Sequence, residues 1–229
     1  MRARTNPIHR SAGAADQGFT LVELLVVIGI LSMLMAVLLP NLFSSTEAAN
    51  RLATKKNMDW QWQQHEVYSQ RHNRQLAPKT GHQFVLYPWV EKICQRNEQS
   101  FARFWVEGAN EPRRAELSQQ AQDTSWEEVW TDFSEVTSED THFAGPTKRQ
   151  LRKLTLADGN EPMMATDNEL APMFPSFAII VMMGDKSFVE LEFDELRDKY
   201  GFTGKDEEAE TGFPVGESSP SEMLQKLEY

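Results

Sequence analysis

The 229-residue sequence predicts an α+β protein: a long N-terminal α-helix, its first half membrane-spanning, packed on a small antiparallel β-sheet head with extended loops and a short C-terminal helix. Three observations carry that expectation. An almost unbroken apolar run fills Phe19–Leu39, apolar positions at helical spacing continue beyond it, and two strand-like segments flank a turn between residues 177 and 193. The mean hydropathy is only −0.52, so the apolar residues are concentrated in the one run and the rest of the chain is polar.

The apolar run comes first. Its 21 residues would extend about 31 Å as a helix, enough to cross a hydrocarbon core of roughly 30 Å. A secretory signal peptide fits less well, because its apolar region is roughly 7–15 residues long and ends in a small-x-small cleavage site. Here Pro40-Asn41-Leu42-Phe43 follows instead. Arg2, Arg4 and Arg10 lie on the short N-terminal side and place it in the cytoplasm, with the remainder outside. The formal net charge is −11, and the basic residues before the run leave an even more acidic body behind it. Such a body argues against a nucleic-acid partner, whose phosphates favour Lys and Arg.

Glu23 lies inside the run. A charged group in hydrocarbon costs about 2.5–3.5 kcal/mol on insertion scales and calls for a partner. No Lys, Arg or His occurs between Arg10 and Arg51, so its cation must come from elsewhere.

The segment Gly18-Phe19-Thr20-Leu21-Val22-Glu23-Leu24-Leu25-Val26-Val27 resembles the signal of type IV pilins and type II secretion pseudopilins. The resemblance implies cleavage by a prepilin peptidase between Gly18 and Phe19 and N-methylation of the new amine at Phe19. It makes Glu23 the assembly residue, paired with that amine on an identical or related neighbouring subunit. Pro40 matches a proline common in the first helix of that family, where the helix loosens on assembly. It further implies residence in the bacterial inner membrane as a single-pass protein, with the head in the periplasm. A carboxylate at Glu23 also suits the positive end of a helix.

The chain is accordingly divided into a leader at 1–18, the membrane and assembly part of the helix at 19–39, its periplasmic part at 40–75, and a head at 76–229. Beyond Pro40, Leu42, Phe43, Ala48, Ala49, Leu52 and Ala53 alternate with charged positions, and the helix is expected to run to about Gln70. Residues 78–81 break it. Phe84–Val90 is open between a strand and a proline-started helix, while Phe101, Phe104 and Trp105, like Trp126 and Trp130, have the spacing of core-facing helical stripes. Residues 107–145 read as a decorated loop region with short helices.

The β signal is clearest at Phe177–Met183 and Phe188–Phe193, an antiparallel hairpin turning at Gly184–Ser187, with Val189, Leu191 and Phe193 on one face and Glu190 and Glu192 on the other. A short helix is expected from Asp194 to Tyr200, and a docked C-terminal helix after Ser219-Pro220-Ser221-Glu222, which has a capping-box pattern. Thr141–Pro146, the hairpin and Val215–Pro220 also resemble stations of pilin-like proteins abundant in planctomycetes. Many of those carry a His-x9-Asp-Gly motif; here Pro175 takes the histidine place and Lys186 the glycine place beside Asp185, so no role transfers.

No phosphate loop, dinucleotide fingerprint, nucleophile elbow or His-Glu-x-x-His motif is present, and neither enzyme activity nor a cofactor is expected. Cys94, the single cysteine, reads as a buried inert thiol. His65, His72 and His82 read as solvated imidazoles rather than zinc ligands. Asp158, Asn160 and Asp167 are the calcium candidates, in a loop read as hydrated and acidic because its spacing fits no EF-hand. Two functions compete: a filament subunit of a type II secretion or type IV pilus-like system, and a membrane-tethered periplasmic binding module that does not polymerise.

Overall fold

In the computed structural model one helix, α1, runs from Leu21 to Arg71, close to the expected bounds, with Pro40 inside it. The structure describes residues 20–109, 111–152, 159–166, 178–200 and 215–228, and not the side chains of 37, 39–44, 193, 194 and 197. The chain divides into two compact units, Met1–Ser45 and Thr46–Tyr229.

In the first unit the described large apolar side chains from Leu21 to Leu38 are exposed, between 43% and 78%. Among the described residues no helix is long and apolar enough to cross a membrane, so the structure does not bear out the expected span. Phe19, and the side chains of Val37 and Leu39, lie outside the described residues.

The second unit is built on a five-stranded antiparallel sheet, ordered β4-β3-β2-β1-β5. Its strands are β1 (Phe143–Pro146), β2 (Pro162–Thr166), β3 (Ile179–Met183), β4 (Phe188–Leu191) and β5 (Leu227–Glu228). The expected hairpin is there: β3 and β4 pair antiparallel, with Val181 opposite Val189. Its turn is closed by Lys186 N–H donating to Met183 O at 2.9 Å, with Lys186 at φ 67°. Phe177 lies outside the described residues.

Both faces of the sheet are covered. One core holds Phe143, Met163, Met164, Ile180 and Met182 against α1 residues Met58 and Trp62 and against α2 (Gly81–Val90). The other holds Ala144, Ala165, Ile179, Val181 and Met183 with Leu196 of α6 (Phe193–Tyr200) and with Val215, Leu224 and Leu227. The open choice at Phe84–Val90 resolves to helix, whose residues from Phe84 to Val90 are all buried. Helices α3 (Glu98–Ala102) and α4 (Pro112–Asp123) follow, and α5 (Lys148–Leu151) comes after β1.

The aromatic residues face the core as expected, but not as helical stripes, since Phe104, Trp105 and Trp130 lie outside any helix. Phe101, Phe104 and Trp105 are buried, and Trp89 lies edge-on to Phe101, Phe104, Trp126 and Trp130 at 5.8–6.3 Å between centroids. Such edge-to-face contacts add about 0.5–1.5 kcal/mol each beyond burial. Cys94 is buried as well, its thiol donating to Pro88 O at 3.4 Å, and burial pushes it up to about 12.

Two expectations fail. The C-terminal helix shrinks to one 3-10 turn, Leu224–Lys226, because the next residues extend to pair with β1, Leu227 opposite Pro146 and Glu228 opposite Gly145. An unpaired β1 edge under the second core would leave backbone groups without partners, and the strand satisfies them. His65 is not a solvated imidazole. It is fully buried and stacks on Phe84 at 4.0 Å between centroids.

Candidate processing and assembly site

Of the residues singled out at the expected processing signal, Glu23 is the one whose geometry is described, in the first turn of α1 beside Thr20. Gly18 and Phe19, on either side of the expected cut, lie outside the described residues. Glu23 does not hang free in solvent. Its Oε2 accepts from Thr20 N–H at 2.9 Å and from the Thr20 hydroxyl at 2.8 Å, while Glu23 N–H donates to Thr20 Oγ1 at 3.2 Å. This is a reciprocal capping box, in which the N-cap threonine and the carboxylate three residues on satisfy each other's first-turn donors. Leu24 N–H to Thr20 O, at 3.2 Å, starts the helical ladder.

Thr20 was missed in the sequence, although its signal was there. Thr20-Leu21-Val22-Glu23 has the S/T-x-x-E spacing, masked by the expectation of a cation partner for Glu23. The box fixes the carboxylate at the positive end of the helix. Replacing Thr20 with valine removes the acceptor for Glu23 N–H and the hydroxyl donor to its carboxylate. The expected outcome is severalfold faster hydrogen exchange at Glu23 and Leu24 in detergent micelles, with native exchange retained by Thr20→Ser.

Pro40 lies within α1, where its missing N–H removes one ladder bond without ending the helix. Of the calcium candidates, Asp158 and Asp167 lie outside the described residues, and Asn160 sits exposed in the turn before β2. Among the described residues no three His, Cys, Asp or Glu side chains gather as a metal would require.

Residues 14–39 match the prokaryotic N-terminal methylation motif. The methylation motif is the signal of type IV pilins and pseudopilins, and it contains Gly18, Phe19 and the Thr20–Glu23 capping box together with most of the exposed apolar helix. No curated protein and no solved structure matches the chain, so the likeness of the head to planctomycete pilin-like proteins gains no support.

Proposed function

We propose that this chain is a structural filament subunit, a pseudopilin or pilin-like protein of a type II secretion or type IV pilus-like system. The observation that carries the reading is the methylation motif at residues 14–39. In this reading prepilin peptidase cuts between Gly18 and Phe19, and the Phe19 amine is methylated. The subunit then waits in the bacterial inner membrane with its head in the periplasm. Assembly pairs Glu23 with the Phe19 amine of a neighbouring copy, and Pro40 lets the helix loosen.

The exposed apolar surface of α1 supports this. Thirteen large apolar side chains between Leu21 and Leu38 are exposed, more than a solvated monomer carries without a lipid or protein partner. The subunit is neither an enzyme nor a cofactor carrier in this reading. Its role is mechanical.

Mass spectrometry of the native N-terminus tests it. Methyl-Phe19 is the expected terminus; an intact Met1 or Arg2 terminus on membrane-bound material would overturn the proposal. Glu23→Ala is expected to insert but not to assemble. Function that survives replacing residues 19–39 by a neutral anchor would favour the non-polymerising tethered module instead.

A further inference from the structure

Between Thr46 and Ala53 helix α1 buries no residue, whereas from Thr54 onward Thr54, Asn57, Met58, Gln61, Trp62, His65 and Ser69 are all buried. The first stretch is nevertheless tied to the sheet. Arg51 spreads its guanidinium over three carboxylates. Its Nε and Nη2 donate to Glu47 Oε1 at 3.0 and 2.7 Å, and its Nη1 donates to Glu190 Oε2 at 2.6 Å. Nη1 also donates to Glu192 Oε1, and Nη2 to Glu192 Oε2 at 3.1 Å. One turn along the helix, Lys55 bonds Glu190 Oε1, its ammonium 5.9 Å from the centre of the Phe188 ring.

The strand period explains how the carboxylates come to lie there. Phe188 packs against the core that contains Met58 and Trp62, and Glu190 follows it on the same face of β4. The packing of α1 on the sheet is thus apolar at Met58, Trp62 and Phe188 and turns ionic where β4 ends, as it does at the β3–β4 turn, where Lys186 pairs with Glu66 at 2.9 Å. The expectation of Glu190 and Glu192 as a polar face opposite Val189 and Leu191 was right about the face, but that face looks toward α1 and not toward water.

We propose that Arg51 is a latch, seated on Glu190 and Glu192, that holds the otherwise unburied stretch 46–53 of α1 against the sheet, and that discharging it releases this stretch as a unit while Asn57–Ser69 stays packed. Three features favour a latch over an incidental surface pair. Arg51 has a side chain only 14% exposed, unlike the exposed pairs that contribute little. Its planar fork serves several carboxylates at once, which a lysine ammonium cannot reproduce. Its removal would take away the cation that Glu47, Glu190 and Glu192 share, so that the charge left behind disfavours the seated helix. The pairing also joins positions 139 and 141 residues apart, so the stretch is held by tertiary contact and not by neighbours in sequence.

The latch is a property of the folded subunit and does not depend on polymerisation. Hydrogen exchange on the full chain in detergent micelles tests it. Arg51→Glu is expected to raise exchange across residues 48–53 by about tenfold or more, leaving 60–70 and the sheet at native rates, as a local opening would. Arg51→Lys, with the charge but not the fork, is expected to fall between. The double variant Arg51→Glu/Glu192→Arg is expected to recover much of the protection. Native exchange at 48–53 in Arg51→Glu would overturn the latch. So would an equal rise throughout α1 and β3, which would make the cluster part of global stability, or a double variant no better protected than the single one.

Discussion

Gly145→Val is expected to destabilise the head severely. A Cβ at position 145 would stand 2.4 Å from the Gly81 carbonyl oxygen, 3.1 Å from its carbonyl carbon and 3.2 Å from Phe84 Cβ. The nearest atom is backbone, so no side chain can swing away to make room. Neither element can retreat. Strand β1 is paired on both sides, Ala144 opposite Ala165 and Gly145 opposite Glu228. Helix α2 is fixed by Phe84, Leu86 and Trp89, all fully buried, and it starts at Gly81 with φ 56°, a conformation that side chains resist. Overpacking a core costs about 1–3 kcal/mol where side chains can adjust. With a backbone clash and two more methyl groups, a loss of about 4 kcal/mol is expected. At roughly 2–4 °C per kcal/mol for a domain of this size, the thermal midpoint should fall by about 8–16 °C in full-length protein. Gly29→Ala supplies the control: its Cβ meets nothing within 4 Å, and the midpoint of the head should not fall.

That contact also shows where sequence reasoning stopped. Helix α1 and the β3–β4 hairpin were legible because each has its own period: a long apolar run with helical spacing after it, and an alternating strand behind a turn. Strands β1 and β2 have no such period. In β2, Pro162, Met163, Met164, Ala165 and Thr166 are all buried, because the sheet is covered on both faces and its register shifts between Pro162 and Met164. With β1 carrying Gly145 and Pro146 and β5 only two residues long, nothing local marks them as strands. They exist through their partners. The head-facing stripe of α1 was hidden for a related reason. Thr54, Asn57, Gln61, His65 and Ser69 are polar yet buried, with Asn57 and Gln61 donating to the carbonyls of Trp105 and Arg103 at 3.1 and 2.6 Å. A hydropathy pattern places such residues outside. At the proposed processing site the opposite holds, since Gly18, Phe19 and Glu23 lie within one short local motif, and Thr20 needed only the recognition of its capping distance.

The buried polar stripe leads to the second large effect: the head should lose stability between pH 6.5 and 4.5, and His65→Phe should remove about half of the loss. His65 is fully buried between Phe84 and Trp62, and neither ring nitrogen has a hydrogen-bond partner. Burial pushes its pKa down to about 3; the Phe84 backbone opposes this slightly, without hydrogen-bond geometry to the ring. His142 is displaced the same way, to about 4, by burial and by the charge of Arg114. In the unfolded chain both imidazoles titrate near the ordinary value of about 6.5. Between 6.5 and the folded value the unfolded state therefore binds protons that the folded state refuses. The stability is fully present above pH 6.5 and drains away as the pH falls through that window. By pH 4.5 each histidine should have cost about 2–3 kcal/mol. Carboxylates do not blur this, since Glu190, held low by Lys55 and Arg51, contributes its own loss only below the ordinary carboxylate range. The two variants separate the histidines. His65→Phe gives up no hydrogen bond and should hold or raise stability at pH 7, while flattening the acid limb of the urea midpoint. His142→Phe should lose stability already at pH 7, because Nδ1 of His142 accepts the Val106 N–H at 3.1 Å and its loss strands a buried donor. An acid limb in His65→Phe as steep as in the native chain would mean that His65 finds a partner on protonation and that burial alone does not set its charge.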